Sequence, residues 1–358
     1  MTRSQVRLLS GVLDDQAGVC DERSGESGSG MTATVPGDMF IWDAHCGFEM
    51  TPGASIASLL EPWRQAGVNH FSINVYYDPH PWTRCVENIA ALRRRIPDET
   101  PWCRVVTTVD EIAAANADGK AAVTFDIEGM NALAGRVDLV QLYYELGVRQ
   151  MLFAYNRNNA TGGGCHDEET GLTRFGRNVI DEMNRVGMVV DCSHTGYRTS
   201  MEAMEHSSAP VVFSHSNTRA LADHGRNISD SQIKACAATG GVIGINGLNL
   251  FLGDDGDPEP ATFARHVAYV AELVGPAHVG LSLDFDPNVY DCADPDLLDD
   301  NNTYYWPPDA GYDKPIRSLS VVQLPAISDE LASVGFTSDE MAAVFGGNFR
   351  RVAELVWK

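Results

Sequence analysis

Beyond residue 37 the chain alternates short apolar runs with segments of helical periodicity, which is the pattern of repeated strand and helix units on a parallel sheet. Strands are predicted over residues 39–44, 70–76, 121–127, 150–154, 188–191, 211–214, 242–246 and 279–283. Helices are predicted between them over 56–65, 83–95, 109–115, 137–146, 174–186, 200–207, 229–238 and 260–274. Eight such units predict a (β/α)8 TIM barrel, in which chemistry gathers at the carboxyl ends of the strands. A doubly wound open sheet would carry a glycine-rich phosphate turn after its first strand, and Asp43-Ala44-His45-Cys46-Gly47 is not one.

Two segments fit no regular unit. Residues 156–173, with Gly162-Gly163-Gly164, read as a long loop over the barrel mouth, and 286–316, rich in Asp, Asn, Pro and Tyr, read as another. The tail over 337–358 reads as helix with a break at Gly346-Gly347-Asn348. Residues 38–358 are expected to form one catalytic barrel, preceded by a disordered leader over 1–37 that includes the Ser/Gly-rich stretch 24–30.

Composition narrows the partners. A hydrophobic fraction of 44% in 358 residues supports a substantial core. Acidic residues outnumber Lys plus Arg by 49 to 26, and the net charge of -23 works against nucleic acid or an anionic membrane surface as partner. The eight cysteines form no CxxC pair, so free thiols in a reducing compartment, hence a cytoplasmic location, are expected. No run approaches the roughly 20 apolar residues of a membrane span, and the first thirty residues lack the apolar core of a secretion signal.

The polar residues at the predicted strand ends carry the chemistry. They are His45 after the first strand, Glu128 after the third, Tyr155 and Asn156 after the fourth, His194 after the fifth, His215 after the sixth and Asp284 after the eighth. Each alone is an ordinary hydrogen-bonded or capping residue, but together they bring three imidazoles and two carboxylates to one rim, which is a metal-binding donor set. Such a set supports metal-assisted hydrolysis, since a bound cation lowers the pKa of its water from 15.7 to about 7. Asp284 is suited to move the proton, and Glu128 to bridge two ions. Arg226, in Asp223-His224-Gly225-Arg226-Asn227, reads equally as a substrate-carboxylate ligand or as a surface ion pair.

The stretch from Asp43 to the end of the chain resembles the membrane dipeptidase (renal dipeptidase) family of zinc peptidases, within the amidohydrolase-like barrels. The residues that carry the resemblance are Gly147-Val148-Arg149, Gly171-Leu172-Thr173, Phe175-Gly176-Arg177, Met183-Asn184-Arg185-Val186-Gly187-Met188, Asp191-Cys192-Ser193-His194, Ser214-His215-Ser216-Asn217 and Arg226-Asn227, in order. The resemblance implies a metallo-dependent hydrolase barrel with a two-zinc site, a homodimer, and hydrolysis of dipeptides, with tolerance of a D-residue at the carboxyl-terminal position. It further implies His45 and Glu128 as ligands of one ion, Glu128, His194 and His215 as ligands of a second, Asp284 as the catalytic aspartate and Arg226 as the carboxylate ligand.

Two positions depart from the family pattern. The family's His-x-Asp reads His45-Cys46-Gly47 here, so one carboxylate ligand is missing; Cys46 points to the opposite face by strand parity, whereas Glu49 shares the face of His45. One firmly held Zn2+ on Glu128, His194 and His215 is therefore expected, with a two-ion site as the alternative. The second departure is Tyr155, where the family has a histidine that polarises the scissile carbonyl; a phenol can donate one hydrogen bond to the same oxygen. His166 on the following loop is a substitute for that role, and Cys165-His166 is a possible nucleophile pair. The expected function is zinc-dependent cleavage of a dipeptide or similar small amide bearing a carboxylate; the alternatives are another amide, an ester or a lactone as substrate, or a binding protein with a decayed site.

Overall fold

The computed structural model describes residues 39–47, 54–287 and 300–358. The predicted leader, Glu49 and most of the acidic part of the 286–316 segment lie outside the described residues. The strands are β1 (Trp42–Cys46), β2 (His70–Tyr77), β3 (Cys103–Val105), β4 (Ala121–Glu128), β5 (Val148–Leu152), β6 (Val189–Asp191), β7 (Val211–Val212), β8 (Ile243–Ile245) and β9 (Val279–Leu281). All pairings are parallel, in the order β1-β2-β4-β5-β6-β7, and the Phe213↔Ile243 bridge continues the sheet into β8-β9. The seam between β9 and β1 is drawn together by a side chain, because Asp43 Oδ1 accepts the Leu283 amide at 3.1 Å. The fold is a (β/α)8 barrel in which eight of the nine strands, all but β3, correspond to the eight predicted.

The strand missed by periodicity is β3, whose Cys-Arg-Val is too short to show a pattern. It pairs with the first half of β4, from Cys103↔Ala121 to Val105↔Val123, and β5 takes over the same edge from Phe125 onward. Several helices fall where predicted, including Ile56–Gln65, Arg174–Val186 and Pro260–Val274. The tail is two helices, Ser338–Ala342 and Asn348–Val356, and the predicted break is a π-turn over Ala343–Gly347. The 286–316 segment contains a helical turn, Asp300–Tyr305, in place of unbroken loop.

Period two along the strands sorts their side chains into two layers. Phe71, Ile73, Val123, Phe125, Ile127, Val190, Val211 and Leu281 join the large apolar layer under the helices. Trp42, Ala122, Val189, Val212 and Val242 fill the barrel floor and are capped by Phe349, Val352 and Val356 of the last helix. Above that floor the interior turns polar: His70 and Ser72 meet Thr124, and Asn74 meets Asp126. Polar side chains in a closed interior need partners, and these find them across the barrel.

Strict alternation would send Asp43 and His45 to the same side. Instead the pairing slips between Asp43↔Phe71 and Cys46↔Ile73, three residues against two. This bulge turns His45 into the barrel, while Asp43 stays on the helix side, where its Oδ2 accepts Trp63 Nε1 at 2.9 Å and Cys46 Sγ at 3.6 Å. Cys46 thus faces away from His45, as parity predicted. Burial pushes the Asp43 carboxyl up to about 6, against the Trp63 and Leu283 hydrogen bonds.

A testable consequence concerns this seam. Trp63→Phe keeps the ring but leaves a buried carboxylate oxygen short of its N–H donor, so stability should fall by about 1–3 kcal/mol, read as a lower urea midpoint with the metal-binding affinity unchanged.

Candidate metal centre

The residues predicted at the strand ends meet at the carboxyl end of the barrel. His45 lies within β1 and not after it, and Glu128 is the last residue of β4. His194, His215 and Asp284 follow β6, β7 and β9. His194 Nε2 and His215 Nε2 are 3.0 Å apart, and each is 3.2 Å from Glu128 Oε1. His45 Nε2 stands 3.7 Å from the same oxygen and 3.4 Å from Asp284 Oδ1, and its ring stacks on His215 at 4.0 Å. His45, Glu128 and His215 in particular present ligand atoms close enough to hold one ion.

Hydrogen-bond partners assign the imidazole tautomers. His45 Nδ1 faces Asp126 Oδ1 at 3.0 Å, so that nitrogen carries the proton. His194 Nδ1 faces Asn156 Oδ1 at 2.7 Å with the same result. His215 Nδ1 meets Ser214 Oγ at 2.7 Å, and Ser214 donates its own proton to Asp191 Oδ2 at 2.5 Å, so the hydroxyl accepts from the ring. Asp191 is oriented in turn by the Ser193 and Ser214 amides, both at 2.9 Å from Oδ1. In their neutral forms all three rings therefore aim an Nε2 lone pair at Glu128 Oε1, a buried oxygen with no hydrogen-bond donor.

Lone pairs of three rings and a carboxylate crowded to 3.0–3.7 Å repel one another unless a positive charge lies among them. The donor set, two or three imidazoles with carboxylates, fits a divalent metal ion. For His194 and His215 the electrostatics agree. Burial pushes Glu128 up to about 8, opposed by His45 and reinforced by Asp284 and Asp126. Burial also drives His194 and His215 well below the ordinary imidazole range, helped by Arg226 and His45. His45 goes the other way: burial disfavours its charge, and the Asp126 and Glu128 carboxylates outweigh it.

The backbone is strained here. Among the described residues four non-glycine residues have positive φ, and three of them, Asn156, His194 and Asp284, surround the centre. Left-handed geometry costs a non-glycine residue about 1–2 kcal/mol, and strain of this kind collects at functional sites.

A side chain at Gly47 would enter the centre. A Cβ there would lie 2.6 Å from Asp284 Oδ1 and 3.8 Å from His45 Nε2, so the Asp284 carboxylate fills the space a side chain would take. Asn246 Nδ2 holds the other oxygen of Asp284 at 2.8 Å. Tyr155 stacks on His194 with centroids 4.2 Å apart, and its oxygen accepts Trp306 Nε1 at 3.1 Å. Arg226 is buried and not at the surface. It donates to Ser216 Oγ at 3.0 Å and to the His215 carbonyl at 2.9 Å; its Nε has no partner, and no carboxylate pairs with it among the described residues, so it is not a surface ion pair.

His166 does not reach the centre, because its Nε2 is engaged by the Tyr312 hydroxyl at 3.0 Å. The Cys165-His166 pair is not a nucleophile either. Burial pushes the Cys165 thiol up to about 11, and its sulfur faces Asn156 Oδ1 at 3.5 Å. Strand-end reasoning passed over Asp126, Asp191, Ser214 and Asn246. A signal existed for the first, since Asp126 is two residues before Glu128 and shares its face.

A profile of the membrane dipeptidase family (peptidase family M19) matches residues 65–304. The chain belongs to the membrane dipeptidase family. Two curated relatives are the uncharacterized dipeptidase C965.12 of Schizosaccharomyces pombe, 37% identical over 187 residues, and dipeptidase aclJ of Aspergillus oryzae, 31% identical over 242 residues. These alignments cover 49% and 66% of this chain but only 44% and 52% of the relatives, so the chain spans about half the length of the curated relatives it matches. Among solved structures, an amidohydrolase from Pseudomonas aeruginosa superposes with a TM-score of 0.79 at 27% identity, over 89% of this chain and 97% of the other. This member of the membrane dipeptidase family thus shares its barrel with that amidohydrolase, and its site has donors that fit a divalent metal ion.

Ser214→Ala removes the acceptor of His215 Nδ1–H and one donor to Asp191. Metal affinity should fall about 10–100-fold, measured by competition with a chelating dye; an unchanged affinity would show that Ser214 does not orient the ring.

Proposed function

We propose that this protein is a zinc-dependent hydrolase that cleaves the amide bond of a dipeptide or a similar small amide with a free carboxylate. The observation carrying this reading is the convergence of three imidazole Nε2 atoms on Glu128 Oε1 beside Asp284. His194, His215 and Glu128 would hold one ion firmly, and His45 with Glu128 would offer a second, weaker position. A bound divalent cation supplies water of lowered pKa, near 7 rather than 15.7, to attack the carbonyl carbon.

The remaining work falls to the chain's own side chains. Asp284, held by Asn246 at one oxygen, keeps the other turned to the site to accept the proton of the attacking water and pass it to the leaving amine. Trp306 donates to the Tyr155 oxygen, which leaves the phenol O–H free to donate to the carbonyl oxygen as charge builds on it. The guanidinium of Arg226 is fixed by Ser216 and the His215 carbonyl and has donor capacity left for a substrate carboxylate. A homodimer, as the family resemblance implies, and a cytoplasmic location complete this reading.

Gly47 and Tyr155 favour a second reading, in which the barrel and metal persist but the substrate is another amide, an ester or a lactone. By the family resemblance one carboxylate ligand is missing at Gly47 and the group that polarises the scissile carbonyl is changed at Tyr155, and Asp284 leans into the space beside His45.

The purified protein should contain zinc and turn over members of a dipeptide panel that includes L-D pairs, with activity lost to a chelator and restored by zinc. Zinc-loaded protein inert toward every dipeptide but active on members of a metabolite library would transfer the case to the second reading. Within an active enzyme, Asp284→Asn should lower kcat by about 10²–10⁴-fold. Arg226→Met should chiefly raise KM for substrates that carry the carboxylate, while leaving those that lack it little changed.

A further inference from the structure

The fully buried Asn156 stands between two parts of the molecule that the mechanism above treats separately. Its Oδ1 accepts His194 Nδ1 at 2.7 Å, and its Nδ2 donates to the Tyr305 carbonyl at 2.9 Å. Tyr305 belongs to the 303–312 segment, a strap laid over the loop that follows β5. Arg157 donates to the Tyr304 carbonyl, Trp306 Nε1 to the Tyr155 oxygen at 3.1 Å, and His224 Nε2 bonds the Ala310 carbonyl at 2.7 Å. Tyr312 closes the far end on His166 at 3.0 Å.

A logical order runs through these contacts. A carbonyl only accepts, so the end of the Asn156 amide facing Tyr305 has to be its NH2 group. The other end is then oxygen, which also only accepts, so His194 Nδ1 has to carry the proton. His194 Nε2 is thereby left with its lone pair toward Glu128. Without the Tyr305 carbonyl the amide loses its strong restraint against turning over and keeps the weaker Cys165 thiol contact to Oδ1 at 3.5 Å. Turned over, its NH2 would face Nδ1, and the proton would move to Nε2, which then no longer binds a cation.

The local backbone holds Asn156 to this post. Its φ is +60°, a conformation that Asn and Asp tolerate best among residues with a side chain. Its main-chain carbonyl accepts the His166 amide at 2.8 Å. A Cβ on Gly164 would overlap the Asn156 carbonyl group, so the Gly162-Gly163-Gly164 run lets the loop pass directly under it.

We propose that Asn156 is a positioning residue whose amide transmits the placement of the 303–312 strap to the tautomer of His194, so that metal loading and strap closure are linked. This rests on His194 being a metal ligand, as in the function proposed above. By reciprocity, zinc bound at His194 holds the strap down as firmly as the strap favours zinc.

Two substitutions separate the two ends of the amide. Asn156→Asp keeps an acceptor for His194 but has nothing to donate to Tyr305. Asn156→Gly removes both ends without backbone strain at that φ. Zinc affinity by calorimetry and hydrogen exchange of the strap amides, each with zinc sulfate alone as the probe, are the readouts. In the parent, zinc should slow strap exchange by about tenfold, within the usual range of coupling between sites. Asn156→Asp should bind zinc at least as tightly as the parent, while zinc no longer slows exchange in the strap. Asn156→Gly should bind zinc about 10–100-fold more weakly. Parent-like affinity in Asn156→Gly, or parent-like protection of the strap in Asn156→Asp, would overturn the assignment. A parent that takes up no zinc would remove both this inference and the metal reading, whereas a parent that binds zinc and shows the linkage yet cleaves no amide would sink only the dipeptidase reading.

Discussion

Three imidazoles with their lone pairs turned inward on one buried carboxylate oxygen are the constraint around which the rest of this barrel is organised. In an interior of low dielectric such an arrangement is unfavourable by itself and becomes favourable with a cation at its centre. Each ring must therefore be prevented from turning over or moving its proton, and each Nδ1–H has a dedicated acceptor: Asp126 for His45, Asn156 for His194, and Ser214 backed by Asp191 for His215. These acceptors come from β4, from the loop after β5 and from the β6 and β7 ends, so the orientation of the metal-facing atoms is a property of the whole upper barrel.

Holding that arrangement carries a conformational cost. The bulge that turns His45 inward interrupts the β1-β2 ladder, and three residues of the site adopt left-handed backbone. The compensation lies outside the site, in the continuous apolar layer between strands and helices and in the floor that Phe349, Val352 and Val356 close from below. Asp43 illustrates the division of labour. One residue pair away from His45, it takes no part in the chemistry and instead joins the last strand to the first through Leu283 and anchors Trp63 of the first helix.

Against the family pattern, the three imidazoles and Glu128 survive while one carboxylate ligand is lost and one neighbour of the set has changed. Gly47 removes a side chain beside His45, and the Asp284 carboxylate occupies that space. Tyr155 stands where the family has a histidine, stacked on His194 and tied to Trp306. The first change removes a ligand at the edge of the donor set, and the second alters what approaches the reacting carbonyl. His45, Glu128, His194 and His215 remain, a combination that fits a kept metal site with a moved substrate range.

Much of this was legible in the linear order of residues, for a physical reason: burial on both faces gives parallel strands dense apolar runs, and runs that end in His, Glu or Asp mark the chemical rim. The eight barrel strands, the helices between them, and His45, Glu128, His194, His215 and Asp284 at one end follow from that alone. Contacts that depend on register or on distant segments did not. A one-residue bulge decided which way His45 points, because parity arguments assume an unbroken ladder. Asp126, Ser214 and Asn246 acquired their roles from what stands across the barrel, and of the two readings that the residues around Arg226 left open, its burial excluded the surface ion pair. Trp306 reaches Tyr155 over 151 positions of chain, a distance at which no local pattern carries information. Local periodicity thus determined which atoms are available at the rim, and only three-dimensional packing decided which way each hydrogen bond between them runs.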